Sequence, residues 1–240
     1  ARETIGRVAA GAVAAKILEQ MGIVFTTYAK AIGGIEVDMN RFDREEIMQN
    51  PFYMPDKEAA QKVSAYAEEM MKNKNSIGGI VECRIQGVPA GIGDPVFEKI
   101  SANLGKAVLS IGAVKGFEIG DGFSVAESNG AANNDNFYVT EDGAIAKKTN
   151  HSGGTLGGMT DGSEIVFRTA FKPTPSIAQV QETVTTNMEE VEIEITGRHD
   201  PIIVPRAVVV VESMAAITIL DALLLNMTAR LDRICEFYNR

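Results

Sequence analysis

The chain has 240 residues, 45% of them hydrophobic and 23% charged, with a net charge of −9, which suits one large globular domain or two small ones with a sizeable core. The acidic balance argues against a general nucleic-acid surface, so an anionic ligand must be held by locally clustered cations. Two distant cysteines, Cys83 and Cys235, form no CxxC pair and point to a reducing, cytosolic setting without a zinc site.

The sequence opens on Ala1-Arg2-Glu3-Thr4, without methionine and already inside a helical pattern. We therefore expect an N-terminal segment to be missing. Residues 2–19 read as a helix crowded with small residues, which let helix axes approach closely. We expect it to be buried between layers, with Gly22 as its C-terminal cap. Residues 23–32 read as a strand, turned at Gly33-Gly34. Asp56 caps an amphipathic helix over 57–73. Residues 80–86 read as a strand, 95–107 as a helix and 108–111 as an apolar strand end. A short strand follows from Val114 into the turn Gly120-Asp121-Gly122. The polar stretch 128–142 reads as a mobile surface loop. Residues 164–171 alternate like a strand, and Val191-Glu192-Ile193-Glu194-Ile195 reads as a half-buried one. The apolar run 207–225 is interrupted by Glu212 and Asp221, so it reads as a buried helix entered at Pro205, not as a membrane span. A weak echo between the first and last long helices suggests α+β halves in three layers.

Three stretches could carry chemistry. His151-Ser152-Gly153-Gly154-Thr155-Leu156-Gly157-Gly158 is neither a Walker loop nor a dinucleotide fingerprint. It offers either a close approach to a flat ligand and an anion nest or only a tight bulged turn. Lys172-Pro173-Thr174-Pro175-Ser176 could hold a phosphate or a flavin tail, or simply end a strand. The segment from Gly197 to Ala207 gathers Arg198, His199, Asp200 and Arg206 between two prolines. Its arginines suit carboxylate or phosphate, although a polar strand–helix connection reads equally well. His199 and Asp200 are neighbours and point apart in an extended segment, so they form no dyad. Arg2 and Arg7 are expected near the helix that follows Pro205. No catalytic triad or HExxH motif is present, which leaves Asp200, His199 and His151 for proton transfer.

Gly197-Arg198-His199-Asp200-Pro201 with Pro205-Arg206-Ala207-Val208 resembles the C-terminal signature of the chorismate synthase family. Ala1-Arg2-Glu3-Thr4 with Arg7-Val8-Ala9-Ala10-Gly11-Ala12 resembles its central motif. Pro89-Ala90-Gly91, Pro95-Val96-Phe97, Val114 to Gly120, Gly153-Gly154-Thr155-Leu156-Gly157-Gly158 and Lys172-Pro173-Thr174 follow in family order. The resemblance implies one domain over 1–240, an α+β fold: a β-α-β sandwich with long small-residue helices packed between antiparallel sheets. It also implies a cytoplasmic homotetramer of the shikimate pathway and aromatic amino acid biosynthesis. The activity implied is that of a lyase that binds reduced FMN. It converts 5-enolpyruvylshikimate 3-phosphate to chorismate by 1,4-elimination of phosphate, with no net redox change and no metal, nucleic acid or membrane involved. Whether the flavin is reduced by the protein itself with NADPH or by an external reductase is left open.

By motif, Gly112, Ala113, Gly157, Lys172, Pro173, Thr174, Pro175, Ser176 and Arg198 would contact the flavin. Arg2 and Arg198 would hold the substrate, and Asp200 would serve a proton relay near flavin N5. Gly112 stands where the family has asparagine, and Val209 where it has proline. The family's two functional histidines, one in Ser-His-Gly and one shortly before Arg-Ser-Ser, have no counterpart in residues 1–240. From this we expect these residues alone to be inactive. The competing expectation is a non-catalytic flavin- or phosphate-binding remnant that acts as a structural partner.

Overall fold

The computed structural model describes residues 2–197 and 200–239. In chain order it has α1 (Thr4–Glu19), β1 (Val24–Ile32), β2 (Ile35–Glu36), α2 (Lys57–Lys72), β3 (Gly79–Gln86), α3 (Ile100–Leu109) and β4 (Val114–Ile119). There follow β5 (Phe137–Val139), β6 (Ile145–Lys147), β7 (Thr155–Leu156), β8 (Met159–Thr160), β9 (Ile165–Phe171), β10 (Val180–Val184), β11 (Glu190–Glu194), α4 (Val204–Met227) and α5 (Leu231–Tyr238). The main sheet has the order β2-β1-β3-β9-β4, and β5-β6, β7-β8 and β10-β11 form separate ribbons. These ribbons and the β1-β2 pair are antiparallel. The fold is α+β.

The chain divides into two compact units. One comprises residues 1–27, 82–169 and 209–240, and the other residues 28–81 and 170–208. In the first, Leu18, Ile85, Ile100, Leu104, Ile165, Phe167 and Ile219 are fully buried. Gly11 of α1 lies directly against Ser213 of α4, with no room for a side chain between them, as two small-faced helices allow. Helix α1 ends where Gly22 N–H donates to the Glu19 carbonyl and Ile23 N–H to that of Leu18, the Schellman pattern expected of this glycine.

The α1 expectation holds only on one side. Gly11, Ala14 and Leu18 are buried, whereas Ile5, Val13 and Ile17 are exposed. Small and apolar residues surround this helix, so its sequence marks no preferred face. Helix α4 is long and apolar enough to cross a membrane. However, Val204, Ala207, Val208, Val211, Ala215, Ala216 and Ile219 are buried, which fits the reading of a core helix on that face, whereas Val209, Leu224, Leu225 and Met227 are exposed. It begins at Val204, so Pro205 occupies its first turn, where a missing N–H costs no helical bond.

Other expectations need correction. Helix α3 starts five residues later than 95, because residues 94–99 form a turn in which Asp94 N–H bonds the Glu98 carbonyl at 3.2 Å and Val96 takes a positive φ of 72°. Val108, read as the start of a strand end, belongs to this helix. The 128–142 stretch is not a featureless loop, since it contains β5 paired with β6. The strand at 191–195 exists as β11, but it pairs with β10 and is largely exposed, not half-buried. Its glutamates alternate onto one face of a two-stranded ribbon, and on the other face Ile193 remains 42% exposed.

In the second unit α2 buries Ala59, Ala60, Val63 and Ala67. Its cap, Asp56, accepts from the N–H groups of Glu58 at 3.0 Å and Ala59 at 3.2 Å. The same fully buried carboxylate accepts from Arg41 through Nη2 at 2.7 Å and Nε at 3.1 Å. The Arg41 guanidinium, helped by backbone N–H groups and opposed by burial, pulls the Asp56 pKa from 3.8 to about 2. A lowered folded-state pKa stabilises the fold above the unfolded value, and this contribution is lost as pH falls from about 4 towards 2. Asp56→Ala should cost about 2–3 kcal/mol at neutral pH through loss of the cap and the charged hydrogen bonds. It should also flatten the acid limb of stability measured by urea unfolding between pH 2 and 5.

Candidate functional site

In the first unit, Gly157 and Gly158 form the two-residue turn of the β7-β8 hairpin, with Leu156 opposite Met159. Their φ values of 61° and 96° are those of a type I′ turn, which glycine adopts without strain. A Cβ on Gly157 would meet nothing within 4 Å, whereas one on Gly158 would strike Lys99, Asp94 and Pro95. One glycine therefore fits the protein and its neighbour presents bare backbone outward. The glycine-rich stretch contains a tight turn, as one reading had it.

Gly112 and Ala113 lie in the turn between α3 and β4. A Cβ on Gly112 would likewise meet nothing within 4 Å, and Ala113 sits at an unusual φ of 73°. The turn is held by Arg7 of α1, whose Nη1 donates to Ser110 Oγ at 2.6 Å and Nη2 to the Ser110 carbonyl at 3.3 Å. Glu3 steadies the same guanidinium at 3.0 Å. This role of Arg7 was not legible in the sequence, because its partner lies 103 residues away. Arg2 is exposed in the turn before α1.

His151 pairs through Nδ1 with Asp121 Oδ2 at 2.6 Å, and its N–H donates to Asp135 at 2.8 Å. Asp135 also accepts from Thr149 Oγ1 at 2.7 Å and Ser152 N–H at 3.0 Å. Burial works to raise the Asp135 pKa, but the hydrogen bonds from Ser152, Thr149 and His151 outweigh it and hold the carboxyl well below the usual range. His151, expected among the proton carriers, is thus tied into the foundation of the glycine-rich stretch.

In the second unit, Lys172, Pro173 and Pro175 are exposed, with Thr174 and Ser176 half-buried. The loop rests on residues 76–78. Ser76 Oγ donates to the Thr174 carbonyl at 2.7 Å, and a Cβ on Gly78 would come within 2.5 Å of the Phe171 carbonyl and 3.0 Å of Pro173 Cδ. Ser76 and Gly78 are what position this loop.

Asp200 is half-buried and ion-paired with Arg206 at the start of α4. The next residue is fixed by Ile77 N–H, which donates to the Pro201 carbonyl at 2.7 Å, and Ile77 bridges Ile202 in parallel. Arg198 and His199 lie outside the described residues, and with them the flavin and substrate contacts expected of Arg198.

These elements belong to an α+β protein whose turns at Gly112 and Gly157 leave open space where a side chain would stand. The family model described as chorismate synthase matches residues 1–224. The chain belongs to the chorismate synthase family.

It is 64% identical over 239 residues to a chorismate synthase of Agathobacter rectalis, covering 100% of this chain and 65% of that protein. It is 62% identical over the same length to one of Lachnospira eligens, with the same coverage. A crystal structure of chorismate synthase matches with a TM-score of 0.79 at 32% identity, covering 95% of this chain and 65% of that one. The chain thus spans about 65% of the length of these relatives.

Proposed function

We propose that this protein is a shikimate-pathway lyase that converts 5-enolpyruvylshikimate 3-phosphate to chorismate and phosphate by 1,4-elimination, with reduced FMN as cofactor. The observation that carries the reading is the family match over residues 1–224. The residues present fit the flavin. Gly112 and Gly157 leave open space where a side chain would stand, as a planar ring needs. Lys172, Thr174 and Ser176, on a loop stiffened by Pro173 and Pro175, suit its phosphate tail.

In this proposal Gly112, Ala113 and Gly157 contact the ring, Lys172 to Ser176 and Arg198 hold the cofactor, and Arg2 and Arg198 hold the substrate's anionic groups. When bound in reduced form, the flavin would supply transient electron density to the substrate's allylic carbon framework, with no net redox change. The Asp200 carboxylate serves the proton relay, positioned by Arg206. We further propose that residues 1–240 act as a single functional domain, cytoplasmic and homotetrameric. The exposed Ile5, Val13 and Ile17 of α1 support an assembly that covers them.

One observation favours a binding-only role for residues 1–240 by themselves. They contain neither of the histidine motifs through which the family moves protons, and His151 is engaged with Asp121. Placement within hydrogen-bond reach decides general acid–base catalysis before pKa does, and each lost acid costs about 10²–10⁴-fold. We therefore expect residues 1–240, assayed anaerobically with FMN and excess dithionite, to bind FMN and form no chorismate. A form that also carries both histidine motifs is expected to turn over. Absence of FMN binding would overturn the flavin assignment, and chorismate made by residues 1–240 alone would overturn the role given to the histidines.

A further inference from the structure

Lys147, at the end of β6, is a charged residue of the first unit that is almost wholly enclosed, with a side chain only 5% exposed. Its ammonium reaches Asp161 Oδ2 at 2.7 Å, Ser152 Oγ at 2.9 Å, Asp135 Oδ2 at 3.3 Å and Asn150 Oδ1 at 3.4 Å. Asp135 and Asp161 are themselves only 9% and 6% exposed. A buried ammonium facing two buried carboxylates is expensive to assemble, because desolvation offsets much of the Coulomb attraction. Stability alone is therefore weak grounds for it.

Its partners lie at both feet of the β7-β8 hairpin. Asn150 Oδ1 also accepts from Gly154 N–H at 2.8 Å, one residue before β7. Asp161 follows β8, and its own N–H donates to the Gly154 carbonyl at 3.1 Å. Asn150 Nδ2 donates to the Glu164 carbonyl at 2.7 Å, which ties the same assembly to the segment leading into β9. One ammonium thus gathers the side chain that holds the first foot and the residue that forms the second. Between them the hairpin has only two residues per strand, too few to hold its direction without such a base.

We propose that Lys147 is a positioning residue that aims the bare backbone of Gly157 and thereby sets the affinity for FMN. This rests on the reading of Gly157 as a flavin contact. Burial of the ammonium fixes the hairpin's feet, and the open tip then needs no side chain of its own to hold it in place. Lys147 touches no reacting atom in this role.

The test compares Lys147→Met, Lys147→Met/Asp161→Asn and wild type by FMN fluorescence titration, thermal unfolding and amide exchange over residues 154–160. Lys147→Met is expected to weaken FMN binding by about tenfold or more, the scale of one net hydrogen bond, and to speed exchange across the hairpin. The double variant keeps the cluster's net charge and is expected to recover much of the melting temperature but not the FMN affinity. Recovery of both would show that only charge balance matters and would overturn the proposal, as would wild-type affinity in Lys147→Met. Should Lys147→Met not fold, Ser152→Ala removes one acceptor with little change in volume. It is expected to weaken FMN binding by about threefold, and unchanged affinity there would also overturn the proposal. Wild-type protein that binds no FMN would overturn the flavin reading itself. The exchange data would then decide the positioning claim alone, and unchanged exchange in Lys147→Met would refute it.

Discussion

In a form of the protein that makes chorismate, Asp200→Asn is expected to lower kcat by about 10²–10⁴-fold, the usual contribution of a positioned acid or base, while FMN affinity changes little. Asparagine keeps the shape of the carboxylate and removes its ability to carry a proton. The fold around it should survive. The backbone at Pro201 is held by Ile77 N–H and by the bridge from Ile77 to Ile202, and neither uses the Asp200 side chain. The ion pair lost is to Arg206, which is exposed, so its stability contribution should be below about 1 kcal/mol. The variant therefore separates chemistry from structure: single-turnover rates should fall while the melting temperature and the FMN titration stay near wild type. A drop in FMN affinity that matches the loss in kcat would instead make Asp200 part of the cofactor's binding surface. Wild-type kcat would remove it from the proton path.

Local signals in this chain read well where one residue type has one structural use. Asp56 before an amphipathic run marks the start of α2, and both the cap and the buried Ala60-Val63-Ala67 face follow. Gly22 ends α1, and the prolines after Phe171 end β9. The ordered motifs likewise carry the family signature in the sequence alone. Long-range polar contacts left no such trace. Asp135 sits in a stretch, 128–142, whose composition suits a solvated loop, yet its side chain is only 9% exposed, because its charge is answered by Lys147 and by backbone N–H groups. Composition counts polar groups and cannot show which of them will be paired. The hold of Arg7 on Ser110 and the seating of the Lys172 loop on Ser76 and Gly78 escape for the same reason: each joins residues about 100 positions apart. The exposed side of α1 shows the converse. Its residue types suit burial, and the described residues leave that side uncovered.

Gly11→Ala is expected to destabilise the protein by roughly 2–3 kcal/mol, although alanine is the better helix former by about 1 kcal/mol. The reason lies in the contact of α1 with α4. A Cβ on Gly11 would stand 2.5 Å from Ser213 Cα and 2.7 Å from Ser213 Oγ, and closer still to Ser213 Cβ. Real carbon–carbon contacts need about 3.5–4.0 Å, so the two helices would have to separate or slide. Trimming the partner cannot remove the clash, since the Cα of Ser213 belongs to the backbone. Ser213→Gly in the Gly11→Ala background should therefore restore only part of the loss. The comparison is Gly6→Ala in the same helix, where a Cβ meets nothing within 4 Å and the change should be neutral or slightly stabilising. Movement of α1 would also carry Arg7, and with it the anchor of the turn at Gly112-Ala113. Gly11→Ala should accordingly weaken FMN binding under conditions where the variant is still fully folded, and Gly6→Ala should not. Equal melting temperatures for the two variants by differential scanning calorimetry would show that the α1–α4 contact yields without cost and would refute the packing argument.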